Sequence, residues 1–251
     1  MTMQRTGSVL STLALVVGVL ALLALALSGP GSRMGWWTFG TGFSVMRWAA
    51  YGAAAAFVVG LLGLVLGGAR ARAGAAIAIG LAVFAVPWSL MRKARSVPPI
   101  HDITTDFVNP PEITASRAER DTTQGMNSWA YEGDSIAAQQ RRAYPDIRPV
   151  MLALPPDDAY RAALRAARDM GWEILLDDPA GRRVEALDVT KWYGFKDDVA
   201  IRVTPASGIS RVDIRSVSRV GGSDVGMNAE RITRYVAKLK EDNRDKVADE
   251  Q

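Results

Sequence analysis

The chain has 251 residues, a formal net charge of +4, one histidine and no cysteine, so disulfides, thiolate zinc sites and cysteine nucleophiles are excluded. Charge is divided by position: up to residue 101 there are eight Lys and Arg and no acid, while the other 22 of the 30 basic residues face all 26 acids. The second part is therefore net −4, and the basic balance of the whole chain offers no nucleic-acid surface.

In chain order, Ser8 to Ser28 is an uncharged apolar run long enough for a bilayer core of roughly 30 Å. Met46 to Leu66 and Gly74 to Leu90 form two more. A signal peptide would be shorter and would not be followed by further spans. Trp36, Trp37, Trp48 and Trp88 stand near span ends, where indole rings favour the interface. Gly60, Gly63, Gly67, Gly74 and Gly80 allow close helix packing or a membrane-protein partner. No ionisable residue occupies the middle of a span, which argues against a transport path. Residues 1–95 thus read as a three-helix transmembrane anchor whose first partner is the lipid bilayer.

Residues 96–148 read as an extended connecting region, held open by Pro98-Pro99, Pro110-Pro111 and Pro145, with a short helix over Ser135 to Ala143. An α+β domain follows over 149–242, then a charged tail over 243–251. Val150 to Leu154 has strand character. Asp157 and Asp158 open a helix to Met170, stopped at Gly171. Strands are expected over Trp172 to Asp177, Arg183 to Lys191, Asp197 to Thr204 and Ser210 to Arg219, giving an antiparallel sheet of about four strands flanked by two helices.

The rest converges on Arg211 to Ile232. Val212, Ile214, Ser216 and Ser218 share one face, with Asp213, Arg215, Val217 and Arg219 on the other. Gly221 and Gly222 end the strand. Ser223 or Asp224 then caps a helix in which Ile232, Tyr235, Val236 and Leu239 recur at helical spacing. If Pro205-Ala206-Ser207-Gly208 closes a hairpin with Val203 opposite Ser210, Asp198 lies across from Arg215 and Arg202 diagonal to Asp213.

The elements GFKDDVAIRV (Gly194 to Val203), RVDIRSVSRVGGSDVGMNAERI (Arg211 to Ile232) and IHDITTD (Ile100 to Asp106) resemble the family known as domain of unknown function 1499. The resemblance covers Pro98 to Leu239. It implies an envelope location, since other members carry the domain behind a secretory or lipoprotein signal. Some members begin the domain with an Asn-Cys motif. This chain has Pro-Pro-Ile-His there, so a role for that motif is not carried over.

The candidate binding or structural polar cluster is Asp197, Asp198, Arg202, Asp213, Arg215, Ser216, Arg219, Asp224 and Asn228. With it goes the leading segment bearing His101, Asp102, Thr104 and Asp106. The plainest expectation is a solvated sheet face, or a network docking that segment. A polar ligand or partner is the functional alternative. Catalysis by a carboxylate pair needs environments that separate the two pKa values, and here an arginine stands beside most of the acids. A lone His101 builds no multi-histidine metal site. Gly221 to Val225 fails as a nucleophile elbow because Val225 stands where glycine is required. The glycine turn lacks the lysine and spacing of a phosphate loop. No catalytic, metal or cofactor residue is therefore assigned, and no cofactor is expected.

Three functions remain open. They are a membrane-anchored envelope protein whose domain binds a ligand or partner, a hydrolase or transferase using the ladder carboxylates, and a structural subunit of an inner-membrane complex. Three spans put the first residues and the domain on opposite sides of a bacterial inner membrane. The Lys and Arg count favours a cytoplasmic domain. The short Arg70-Ala71-Arg72 turn and the signal-bearing relatives favour a periplasmic one, which is the expectation taken.

Overall fold

The computed structural model describes residues 2–248. The chain divides into two compact units. One runs up to Lys93 and includes Lys191–Gly194; the other comprises Ala94–Thr190 and the residues from Phe195 onward.

The first unit is built on helices α1 (Thr2–Arg33), α2 (Phe39–Val65) and α3 (Arg70–Ser96, its last turn passing into the second unit). All three are long and apolar enough to cross a membrane. Their mutual contact is made by small residues. Gly7, Ser11, Ala14, Gly18 and Ala21 form the buried stripe of α1, against Ala49, Ala53, Ala56, Gly60 and Gly63 of α2. A Cβ on Gly63 would lie 2.7 Å from Ser11 Oγ, and one on Gly80 2.7 Å from the Ala53 carbonyl oxygen. Backbone approach therefore requires glycine at both. Gly67 and Gly74 have open space around them instead. Large apolar side chains such as Leu20, Leu23, Val58, Leu62 and Leu81 point outward, as a lipid-facing surface requires. Within this unit Arg33 Nη1 donates to the Lys191 carbonyl oxygen at 2.6 Å, and the Tyr193 ring lies 4.8 Å from that of Phe43.

The second unit is α+β. Its antiparallel sheet contains β1 (Asp102–Thr104), β2 (Val150–Leu152), β3 (Glu173–Asp178), β4 (Arg183–Val189), β5 (Lys196–Ala206) and β6 (Ile209–Ser218). The order is β1-β6-β5-β4-β3, with β2 also on β6. The leading segment adds a strand that the four-strand expectation did not count. β1 pairs with Arg215–Val217 and β2 with Ser210–Val212, so both share one edge of β6.

Helices α6 (Pro156–Asp169) and α7 (Met227–Asp242) lie on the apolar face. Val199, Ile201, Val203, Val212 and Ile214 meet Ala159, Ala163, Ile232, Tyr235 and Leu239 there. Tyr235 is fully buried, stacks on Trp172 at 5.4 Å and donates its hydroxyl to the Ala163 carbonyl oxygen. Burying such a ring contributes roughly 1.5–3 kcal/mol. Pro156 at the first turn and positive-φ Gly171 at the end bound α6 as the sequence predicts.

Three expectations change. The stretch 96–148 is not merely extended: besides the expected short helix, α5 (Asp134–Ala143), it folds β1 and α4 (Arg117–Thr122). The stretch expected as a charged tail turns back, with Val247 bridged to Leu152 and Ala248 N–H donating to Met151. Its residues 249–251 lie outside the described residues. The β5–β6 hairpin closes two residues tighter than predicted. Pro205 and Ala206 belong to the ladder, and only Ser207 (φ 46°) and Gly208 (φ 87°) turn. Positive φ at both central residues gives the turn whose twist matches the flanking strands. Val203 then opposes Val212 and Asp198 opposes Val217. A slip of two keeps each side chain on its predicted face and changes only its partners.

Gly208→Val forces a β-branched residue into that left-handed position and should destabilise the domain by about 1–2 kcal/mol. Urea unfolding of the detergent-solubilised chain, followed by near-UV circular dichroism, measures it. An unchanged midpoint would contradict the two-residue turn.

Candidate functional site

Alternation along β5 and β6 sends the predicted cluster to two different faces. Asp198, Arg202, Asp213, Arg215 and Arg219 share the face opposite the helices, whereas Asp197 and Ser216 point toward α7. The cluster is therefore two networks, and the one expected ladder does not exist as a single site.

The first network is buried, not solvated. Residues 105–131 lie over this face, and Ile113, Ala200 and Val217 form a small apolar cluster with Trp129 packed against it. Arg215 makes a two-pronged pair with Asp102, Nε to Oδ1 at 2.9 Å and Nη2 to Oδ2 at 2.7 Å, and both residues are at most 3% exposed. The predicted partner Asp198 instead holds Arg219 (2.8 Å), Arg120 (2.7 Å) and the Ser116 hydroxyl (2.6 Å). Arg219 also binds Glu119 at 2.6 Å. Asp213 accepts from Arg211, Arg202 and Thr105. Asp106 accepts from Arg202 at 3.0 Å and from the N–H groups of Val108 and Asn109. Arg202 and Asp213 are direct cross-strand partners, not diagonal ones.

Burial alone would raise the Asp198 carboxyl. Hydrogen bonds from Arg219 and Ser116 and the Arg120 charge outweigh it and hold the group below the ordinary carboxylate range. Asp106 behaves alike, its burial outweighed by the Asn109 and Val108 amides and by Arg211 and Arg202.

The second network faces the helices. Fully buried Arg231 of α7 donates to Asp197 Oδ2 at 2.6 Å, Asp188 Oδ2 at 2.7 Å and Ser216 Oγ at 3.0 Å. Asn228 accepts from Ser216 and donates to the His101 carbonyl oxygen at 2.8 Å. Asp224, not Ser223, prepares the helix. Its two oxygens accept from Gly226 N–H and Asn228 N–H, and α7 starts at Met227, just beyond them. Burial pushes the Asp224 carboxyl upward against those two amides.

The leading segment is bound by its own backbone. Thr104 exchanges two hydrogen bonds with the Gln140 side chain, and the His101 carbonyl oxygen accepts from Ser218 N–H. His101 Nε2 lies 3.4 Å from Glu132. Among the described residues no three of His, Asp and Glu converge to hold a metal ion.

Sequence reasoning missed Arg120, Ser116, Glu185 and Arg231. Arg231 had a signal: with Asn228 it precedes Tyr235 and Leu239 at helical spacing, which puts a guanidinium on the buried stripe. Glu185 had one too, alternating with Val184 and Ala186 on a central strand. Arg120 and Ser116 carried none, because only the tertiary path brings them over Asp198.

A family model described as protein of unknown function (DUF1499) matches residues 102–239. No curated protein matches the chain.

Two outcomes test these pairings. Double-mutant cycles should give stronger coupling for Asp102→Asn with Arg215→Gln than for Asp198→Asn with Arg215→Gln, each single Asp102 or Arg215 variant costing about 3–5 kcal/mol. The reverse order of coupling would overturn the assigned partners. Because the folded Asp198 carboxyl is depressed, its contribution is present above the unfolded value near pH 4 and disappears as pH falls through the folded one. Asp198→Asn should therefore be less stable at neutral pH and show a shallower acid limb below about pH 4 in urea midpoints measured against pH; an unchanged acid limb contradicts the depression.

Proposed function

The chain belongs to the DUF1499 family of proteins of unknown function, and from its geometry we propose a membrane-anchored envelope protein whose α+β domain binds a ligand or partner without performing chemistry on it. One observation carries this reading. The buried carboxylates Asp102, Asp197, Asp198, Asp213 and Glu185 each have an arginine within 3.3 Å. A general acid or base needs a carboxyl whose proton affinity is tuned toward neutrality and which reaches substrate. The ion-paired carboxyls Asp198 and Asp106 are tuned the other way. Asp224 is pushed upward by burial, but its two oxygens are taken by the Gly226 and Asn228 amides, which weighs against the hydrolase or transferase reading.

The reading as a structural subunit of an inner-membrane complex required a glycine face for a neighbouring protein. Gly60, Gly63 and Gly80 are already covered within the three-helix unit. Of the glycines singled out for such a face, Gly67 and Gly74 stand beside open space. The bilayer itself is the first partner proposed, and the bacterial inner membrane the location. Relatives with signal peptides and the short Arg70-Ala71-Arg72 turn support a periplasmic domain.

Purification of the full chain in mild detergent, followed by mass spectrometry of copurifying small molecules, tests the binding reading. A reproducible ligand released on unfolding is expected, and turnover of that ligand by the protein would overturn the non-catalytic reading. Alkaline phosphatase fused after Gln251 should be active; an inactive phosphatase beside a fluorescent GFP fusion at the same site would place the domain in the cytoplasm.

A further inference from the structure

Arg183 of β4 and Arg202 of β5 stand directly opposite each other in the ladder. Like charges at such positions are unfavourable unless something lies between or beside them. Carboxylates flank the pair. Glu185 binds Arg183 Nη2 at 3.2 Å, and Asp106 and Asp213 share Arg202 Nη2.

Those acceptors are already occupied. Glu185 also takes the N–H groups of Thr114 and Ala115 and the Thr114 hydroxyl. Asp106 takes two backbone amides and Arg211, and Asp213 takes Arg211 and Thr105. Donors are left over. The buried Nε–H of Arg202 has no hydrogen-bond partner among the described residues, although buried donors are almost always paired.

Arg183 and Arg202 line a cavity of about 150 Å³, together with Glu185, Asn109, Pro111, Ala200 and the exposed Glu112. That volume is smaller than the roughly 300–1,000 Å³ that encloses a whole small molecule. It suits one terminal group. We propose that this notch seats a single oxyanion, the phosphate or carboxylate end of the ligand, bridged by Arg183 and Arg202. Guanidinium forks match such groups in shape as well as charge. The saturated acids hold the two arginines in place and have no lone pair left to compete for their free N–H groups, while Glu112 at the rim disfavours a second negative charge. This inference rests on the binding-module reading and names the chemistry of its site.

The test uses the full chain in detergent at low ionic strength, titrated by calorimetry with inorganic phosphate and with acetate, chloride at equal ionic strength being the control. Saturable binding of one of them is expected. Arg183→Gln should weaken it roughly tenfold or more, and it should also lower the melting temperature, because buried Glu185 loses its arginine. Arg183→Lys keeps the charge and loses the fork, so it should bind with intermediate affinity. Should Arg183→Gln fail to fold, the lysine variant carries the comparison. No saturable binding tighter than roughly 10 mM, or binding that ignores both variants, overturns the notch.

Flotation with vesicles of phosphatidic acid, against phosphatidylcholine alone, separates the sources. Arg183-dependent binding to those vesicles without binding of free phosphate assigns a lipid headgroup, and binding of both assigns the phosphate itself. A copurifying ligand indifferent to Arg183 overturns the notch and leaves the binding module standing; turnover of the ligand overturns the module.

Discussion

The two-pronged pair of Asp102 with Arg215 is the interaction on which the α+β domain depends. Each group would be costly to bury alone, since taking an ion out of water costs several kcal/mol after relaxation. Together they form a short, charge-assisted contact across 113 residues of sequence. The contact holds β1 on the end of β6 that β2 does not reach. Removing either member would leave the other charge buried and unpaired at that edge of β6.

From that pair the architecture follows in two layers. On one face, alternation presents Val199, Ile201, Val203, Val212 and Ile214 to α6 and α7. On the other, the same alternation presents Asp198, Arg202, Asp213, Arg215 and Arg219, which water would ordinarily cover. Here a polar lid replaces water. Ser116, Arg120 and Thr114 supply hydrogen bonds to Asp198 and Glu185, and Ile113 with Trp129 seals an apolar patch over Ala200 and Val217. A sheet with both faces covered resembles a parallel α/β sheet in its burial, yet every pairing here is antiparallel.

Saturation of the acids also shapes what the domain can do. A carboxylate bound by two or three donors is a rigid strut with a low proton affinity, useful for fixing geometry and ill suited to moving protons. Spare capacity sits on the basic side, at Arg183 and Arg202, where a buried N–H has no acceptor. In the helical unit the same economy of space appears without charge. Glycine and alanine bring backbones together, as required where lipid tails provide no hydrophobic drive between helices.

Local pattern in the sequence determined the three apolar helices, strands β2 to β6, both covering helices and the face each residue of β5 and β6 occupies. Periods of 2 and 3.6 residues are properties of the chain itself. It also determined that Asp102, Asp198 and Arg215 belong to a polar network. Partner choice lay beyond it. Whether Asp198 meets Arg215 or Arg219 turned on a two-residue turn, because Pro205 and Ala206 joined the ladder instead of the loop. Whether the charged face was wet or buried turned on the path of residues 105–131, which have no clean period. Arg120 reaches Asp198 across 78 positions of sequence. A buried ion pair is selected by desolvation, and desolvation exists only once the chain has closed over it.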